Sequence, residues 1–428
     1  MRLYYLLDVN NAFATWEQIF SPGLKGKPLA ISGVNNGNII ARSDAAKKLG
    51  VKMGQPVFEV REFVARRQLV VMQANYPLYL AQHERFVNTL SFEFPEIFPY
   101  SIDEVFSITD IAMNPGDADA FAREVQASVY RQLRLSIGIG IGTTPTIAKL
   151  GSYWAKKHKR STGCVLELTD SKRLSNALKL TPTEEVWGIG RRIASRLKVM
   201  GIESAWDFAS ANPALIRKNF GVTLLRTQME LNGTACIDVR DTTAGKQQIV
   251  RSRSFGEKVK TKEKLSEAVA FQAERLGEEL RLQKQFAGRV GVFIRCSPFA
   301  KNQPFYANNA SRQLILPSQD TRDIIRHALS CLDDIYRDGF SYASAGVMAF
   351  DLTTNSVCQF ELFAEGGPRK HSEELMSTID RINYSGKGQL WFAGQGMQNQ
   401  ERTWRPKSVN MSPGYMNNWN EILKVRIG

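Results

Sequence analysis

Paired cysteines, clustered histidines and long apolar runs are all missing from this 428-residue chain. Its five cysteines (Cys164, Cys236, Cys296, Cys331 and Cys358) are scattered without a CxxC, and its four histidines lie far apart. A disulfide framework and a zinc site are therefore not expected, and a reducing cytoplasm fits. No stretch approaches the roughly 18 apolar residues of a membrane span. The opening MRLYYLLDVNNAF carries an early Arg and, within its apolar stretch, Asp8, so no signal peptide is expected. Acidic residues are the minority: 42 Asp plus Glu against 56 Lys plus Arg leave a formal net charge of +14. That balance favours a polyanionic partner, nucleic acid rather than a membrane surface. With 43% hydrophobic and 23% charged residues, wholesale disorder is excluded. The length suits two to four domains at roughly 100–200 residues each.

What is present alternates between strands and helices. LYYLLDV (3–9) reads as a buried strand ending in Asp8, and IFPYSIDEVFSIT (97–109) as two strands around a polar turn. Phe121, Val125, Val129 and Leu133 recur at i+4 and predict an amphipathic helix from Asp117. LSIGIGIG reads as a strand, followed by a helix with Pro145 in its first turn. Residues 171–235 lack strand alternation and predict a small helical domain, with VRDTTAGKQ (239–247) as a linker. Beyond it the order is βαββαβ, the split-βαβ pattern of ferredoxin-like units. The last stretch is rich in Gly, Asn and Gln with little period and predicts a loosely packed tail.

Four constellations could carry chemistry. Asp8, Asp103 and Glu104 sit at strand ends that could converge on one sheet edge. Three hard oxygen donors suit Mg²⁺ or Mn²⁺, and a pair of ions would support in-line phosphoryl transfer. The plainer alternative is a polar turn and a solvated strand end. Lys149, Lys156, Lys157, Lys159 and Arg160 form a basic helix without an acid, and Arg42 and Lys47 flank a polar turn. Either cluster could neutralise a triphosphate, or could simply be solvated. In VWGIGRRIASRL (186–197), Gly188 and Gly190 before Arg191 and Arg192 fit a helix-hairpin-helix whose amides meet a phosphate. Arg251 and Arg253 alternate on one strand and Arg289 and Arg295 on another. Arginines on an open sheet face suit phosphate tracking. His158 reads as solvated, Trp154 and Trp187 as core, and the cysteines as small buried residues.

YSIDEVF together with DVNNAF resembles the Y-family (translesion) DNA polymerases. VWGIGRR, SRSFGE and FAGQG narrow the resemblance to the UmuC-like catalytic subunit of DNA polymerase V and its plasmid relatives, over residues 1 to about 425. The resemblance implies an α+β multidomain right hand. Its parts would be a ferredoxin-like palm (1–20 and 70–168), small fingers (21–69), a helical thumb with the helix-hairpin-helix (169–240), a βαββαβ little finger (246–352) and a C-terminal tail (353–428). It implies that Asp8, Asp103 and Glu104 hold two Mg²⁺ with help from the Val9 carbonyl. Phe13 would be the aromatic gate under the incoming sugar, and Lys47 and Lys156 would contact the dNTP phosphates, with Arg42 a nucleotide-binding candidate from its place beside the same polar turn. Primer-template DNA would lie against Gly188, Gly190, Arg191, Arg192, Arg251, Arg253, Arg289 and Arg295. Gln359, Phe360, Glu361, Leu362 and Phe363 resemble the short motif that docks bacterial polymerases on the sliding clamp. A UmuD-type accessory dimer and a RecA filament are further implied partners. Ala12, Asp44 and Pro145 depart from the family pattern but remove no metal ligand.

The expectation is an error-prone, template-directed DNA polymerase acting in the SOS response to DNA damage. A catalytically silent DNA-binding subunit is the rival from another class, and the intact carboxylate triad speaks against it. A nucleotidyl cyclase could share such a palm but needs no helix-hairpin-helix.

Overall fold

The apolar run near the N-terminus becomes β1 (Leu3–Val9), all of it buried. It lies at the centre of a five-stranded sheet in the order β5 (Ile97–Pro99), β6 (Glu104–Thr109), β1, β7 (Ile137–Gly142), β8 (Val165–Glu167). β1 runs antiparallel to both neighbours, and β8 runs parallel to β7. Because side chains alternate along a strand, the two faces of β1 meet different partners. Leu3, Tyr5, Leu7 and Val9 join α1 (Ala12–Phe20), α4 (Tyr76–Leu90) and α5 (Asp117–Leu133) in the main core. Tyr4 and Leu6 face α6 (Pro145–Lys157) with Phe106, Ile108 and Ala148. Asp8 follows on that second face.

The computed structural model describes residues 2–109, 117–240, 246–300, 303–354, 369–386, 388–396, 404–405, 410–416 and 419–422. The chain divides into two compact units, residues 1–243 with 410–428, and residues 244–409.

The glycines of IGIGIG explain how α6 seats. In the β1–β7 register Tyr4 lies opposite Gly142, Leu6 opposite Gly140 and Asp8 opposite Gly138, so all three glycines face α6. A Cβ on Gly140 would stand 2.0 Å from the Ala148 carbonyl oxygen and 2.1 Å from the Ser152 amide. On Gly142 it would stand 2.5 Å from Ile147 Cγ2, and on Gly138 2.8 Å from Lys156 Cγ. The helix therefore lies directly on the strand backbone, with the intervening isoleucines buried on the opposite face.

In the same unit a small sheet orders β3 (Ile39–Arg42), β2 (Leu29–Ser32) and β4 (Val70–Gln73), beside α2 (Asp44–Lys48) and α3 (Arg61–Ala65). β4 pairs in parallel with β2, so the small sheet extends four residues past the boundary expected at 69. After the short α7 (Lys159–Thr162) and β8, five helices follow with a separate core: α8 (Ser171–Leu180), α9 (Arg191–Val199), α10 (Ala205–Ser210), α11 (Pro213–Phe220) and α12 (Val222–Leu231).

The second unit has the expected βαββαβ order: β9 (Ile249–Val259), α13 (Lys262–Leu282), β10 (Gln285–Cys296), β11 (Ala307–Ser318), α14 (Thr321–Ile335) and β12 (Tyr342–Thr354). The sheet order β11-β10-β12-β9 is antiparallel throughout. Each βαβ half is split by a strand of the other, with β10 and β12 central.

The expectation of a loosely packed tail is corrected for the described residues of that stretch. α15 (Ser372–Tyr384) docks through Asp380, which accepts two hydrogen bonds from Arg281 at 2.6 and 2.8 Å, and through Ser372, which donates to Asp320 at 2.6 Å. Trp404, 1% exposed, lies against Phe271 with ring centroids 5.2 Å apart. This helix buries only Met376; its docking rests on charge pairs, which leave no apolar period to read. Residues 410–416 return to the first unit, where the Gln73 amide donates to the Asn410 carbonyl at 3.1 Å.

Gly140→Ala is expected to cost at least about 3 kcal/mol, because its methyl meets backbone atoms that cannot move aside. Urea unfolding checks this, with Gly23→Ala as the control, since nothing lies within 4 Å of that Cβ position.

Candidate active site and nucleic-acid interface

Strand pairing sets the carboxylates side by side. Asp8 lies directly opposite Glu104 in the β1–β6 register, and the Val9 amide donates to the Asp103 carbonyl at 3.0 Å. Asp103 is held by its own turn. Ser101 Oγ donates to Asp103 Oδ1 at 2.6 Å and accepts from the Glu104 amide at 3.1 Å. Two lysines one helical heptad apart on α6 reach down to this edge. Lys149 Nζ bonds both oxygens of Glu104 at 2.9 Å, and Lys156 Nζ forms an ion pair with Asp8. Lys149 also stands 4.7 Å from the Tyr100 ring centre and 5.5 Å from that of Trp187, a cation–π position. Trp187 donates to the Tyr100 hydroxyl at 3.1 Å. It is thus half-buried in the wall of a cavity of about 420 Å³, shared with Leu6, Asp8, Glu104, Lys149 and Lys156. The expectation that Trp187 is plain core is corrected to this extent, and Trp154 too is only half-buried.

Burial pushes the Asp8 carboxyl up to about 7, with Glu104 and Asp103 adding to the rise and Lys156 opposing it. Among the described residues no three His, Cys, Asp or Glu side chains are gathered as a ready-made metal cage. The donor chemistry nevertheless suits a hard divalent cation. The lysine ammoniums supply positive charge at the very oxygens such a cation would ligate.

Phe13 is half-buried on α1 and stacks on Tyr79 of α4, with centroids 4.5 Å apart and planes at 14°. Asn11, in the left-handed region at φ 51°, begins α1 and donates to Asp44 at 3.0 Å. Asp44 also receives Lys159 at 2.6 Å and Lys47 at 3.5 Å. Burial pushes Asp44 up, but Lys159, Asn11 and Lys47 outweigh it and hold the carboxyl at about 2. Lys47 bonds Asn11 Oδ1 as well, whereas Arg42 donates to the Val51 carbonyl at 2.7 Å. Asn11 and Ser101 are not singled out by the sequence, and Lys159, read there as one of a basic cluster, is committed to Asp44. Their roles are fixed by a turn and by partners more than 30 residues away, which no local spacing carries.

In the helix-hairpin-helix, Gly188 takes φ +86°, a conformation that favours glycine. Gly190 caps α9 in open space, and Arg191 and Arg192 are exposed in its first turn. In the second unit Arg289 and Arg295 lie on the open sheet face, as the alternation predicts, with Phe293 between them. Arg289 pairs with Asp351 at 3.2 Å. Arg251 and Arg253 require correction. They lie opposite the buried Val347 and Ala345, hence on the helix-covered side, and Arg251 forms an ion pair with Glu279 of α13. The open side of β9 carries Val250, Ser252 and Ser254 instead. Period-two reading put both arginines on one face; the burial of Ile249 and Phe255 decides which face. Gln359, Phe360, Glu361, Leu362 and Phe363 lie outside the described residues.

Residues 7–153 match the impB/mucB/samB family and residues 246–362 its C-terminal domain. Protein SamB of Salmonella typhimurium is 43% identical over 99% of this chain and 100% of its own length. Protein UmuC of Salmonella typhimurium (strain LT2) is 41% identical over 99% and 100%. The chain belongs to the impB/mucB/samB family, within the Y-family DNA polymerases. Residues 373–425 match a domain of unknown function. DNA polymerase IV of Bacillus velezensis is 24% identical over 96% of both chains. A Y-family DNA polymerase chimera of known structure superposes with a TM-score of 0.65 at 19% identity, covering 82% of this chain and 100% of its own, which shows the fold. The protein is a DNA-directed DNA polymerase of the error-prone translesion type, and the silent accessory subunit is not favoured. Its family generally uses divalent metal ions. Among the described residues no helix is long and apolar enough to cross a membrane.

The raised Asp8 carboxyl has a definite sign in stability. Its folded value near 7 exceeds the ordinary 3.8, so ionising it in the fold costs stability. That cost is absent below about pH 4 and complete above about pH 7. With divalent ions chelated, wild-type Tm is expected to fall more between pH 5 and 8 than that of Asp8→Asn. Parallel curves for the two proteins would overturn this account of the site.

Proposed function

We propose that Asp8, Asp103 and Glu104 hold two Mg²⁺ ions, with Mn²⁺ as a substitute and the Val9 carbonyl assisting, and that at this site a primer 3′-OH attacks the α-phosphate of a dNTP, the nucleotidyl group is transferred and pyrophosphate leaves. The observation that carries this reading is the direct opposition of Asp8 and Glu104 across β1 and β6, with Asp103 held beside them by Ser101. When bound, the ions neutralise phosphate charge and lower the pKa of the 3′-OH. The chain's own residues do the rest. Lys156 and Lys149 exchange a carboxylate for a phosphate oxygen as substrate enters. Arg42 and Lys47 add positive charge on the nucleotide side. The flat ring of Phe13, backed by Tyr79, fills the space a 2′-hydroxyl would need. The fingers are short and touch the nascent pair little, so selection rests mainly on base pairing, and damaged templates are tolerated.

Primer-template DNA is assigned to the Gly188–Arg192 hairpin in the first unit and to Arg289 and Arg295 in the second, with Arg253 at the sheet edge and Arg251 committed to Glu279. Docking on the sliding clamp through 359–363, a UmuD-type accessory dimer, a RecA filament and a cytoplasmic location complete the reading. The clamp docking is supported by the motif at 359–363, the dimer and the filament by the family resemblance, and the location by the scattered cysteines as well.

Two measurements test the assignment. Purified Asp103→Ala protein is expected to lose primer extension by roughly 100-fold or more while still binding duplex. Retained extension would remove the carboxylates from the mechanism. Neutralising Arg289 and Arg295 to Gln is expected to shrink the slope of log K against log salt by about 2, roughly 0.9 per phosphate contact. An unchanged slope would place the open sheet face away from DNA.

A further inference from the structure

Phe13, Glu17 and Phe20 recur at i, i+4 and i+7 and form one stripe along α1. Phe13 stacks on Tyr79 of α4, and Tyr79 donates its hydroxyl to Glu17 Oε1 at 2.7 Å. Glu17 is fully buried, and burial raises its carboxyl above the usual range. Its second oxygen, Oε2, has no hydrogen-bond partner among the described residues. The carboxylate therefore leans on few groups, and one of them comes from the far end of the chain. Ser412, 4% exposed, donates its hydroxyl to Glu17 Oε1 at 3.0 Å.

The same C-terminal stretch is fastened on both sides. Asn75, which caps α4 by accepting from the Leu78 amide, donates to the Ser412 carbonyl and hydroxyl at 3.0 Å and to the Pro413 carbonyl at 3.2 Å. Tyr415 stacks on Phe20 with centroids 5.1 Å apart and planes at 8°. Gln82, one turn beyond Tyr79 on α4, contacts Met416 Sδ at 2.7 Å. Residues 410–416 thus bridge the two helices that carry Phe13 and its stacking partner, and they reach the buried carboxylate that orients that partner.

We propose that this C-terminal segment, part of the domain of unknown function, is a positioning element for the sugar gate. Ser412 and Tyr415 hold Glu17 and Phe20, Glu17 orients Tyr79, and Tyr79 fixes the tilt of the Phe13 ring. The segment thereby sets how strictly ribonucleotides are excluded. This rests on the reading of Phe13 as the residue under the incoming sugar. A segment that only stabilised the fold would affect ribonucleotide and deoxyribonucleotide insertion equally. A positioning segment changes their ratio.

The test compares single-nucleotide insertion of rNTP and dNTP by the full-length chain, its Phe13→Ala variant, a Ser412→Ala/Tyr415→Ala variant and the combination of all three changes. Phe13→Ala is expected to raise the rNTP-to-dNTP ratio. The double variant is expected to raise it by roughly three- to ten-fold with dNTP insertion little changed, the scale of coupling through a packed network. The combination is expected to match Phe13→Ala alone, because the two act through one ring. Tyr415→Phe, which keeps the stack, is expected to behave as wild type. Should the double variant fail to fold, Ser412→Ala, which removes a single hydroxyl, gives the same reading. A raised ratio in Phe13→Ala with an unchanged ratio in the segment variants would overturn the proposal. Equal loss of both substrates would do the same, as would effects that simply multiply in the combination. An unchanged ratio in Phe13→Ala would instead remove the gate itself, which is a separate and recognisable failure.

Discussion

The first unit depends on the contact of a helix with bare strand backbone. Gly140 and Gly142 let α6 lie against β7 with no side chain between them, and Gly138 leaves the groove through which Lys156 passes to Asp8. A sheet carrying ordinary side chains would hold the helix several ångströms further out, near the usual spacing of packed layers. Lys149 and Lys156 could not then reach Glu104 and Asp8. Three missing methylene or methyl groups on one strand thus set the electrostatics of a site on the next.

Those electrostatics are a balance between buried acid and reaching base. Asp8 is drawn out of water at the end of a strand buried on both faces, and its neighbours Glu104 and Asp103 make ionisation harder still. Lys156 opposes this from above the sheet, while Lys149 pairs with Glu104. Close like charges are costly without a cation, and a polymerase needs a place where bound metal and anionic substrate stabilise each other. Asp44 has the opposite bias. Its burial is outweighed by Lys159, Asn11 and Lys47, so it stays ionised and ties the start of α1 to α2 and α7.

The C-terminal region is divided in its attachments. Residues around α15 and Trp404 pack on the second unit through Arg281, Asp320 and Phe271, while residues 410–416 pack on the first beside α1 and α4. Both attachments use hydrogen-bonded or charged groups as much as apolar area. Such contacts are directional: each depends on one donor meeting one acceptor. That suits a segment whose task is to fix the orientation of a few side chains.

Local pattern in the sequence determined the strand at 3–9, the βαββαβ order of the second unit, the helical stretch from 171 and the carboxylates at strand ends. Each follows from periodicity, breaker residues or charge within a short window. The motifs YSIDE and DVNNAF pointed to the family. Three things were decided only in three dimensions. The face of β9 that Arg251 and Arg253 occupy depends on which side α13 covers, and period two alone is blind to that sign. The role of IGIGIG depends on a helix that arrives later in the chain; in sequence the run reads as a strand and nothing more. The contact of Ser412 with Glu17 spans 395 residues. No local signal encodes it, because a single hydroxyl becomes meaningful only when folding has buried the carboxylate it meets.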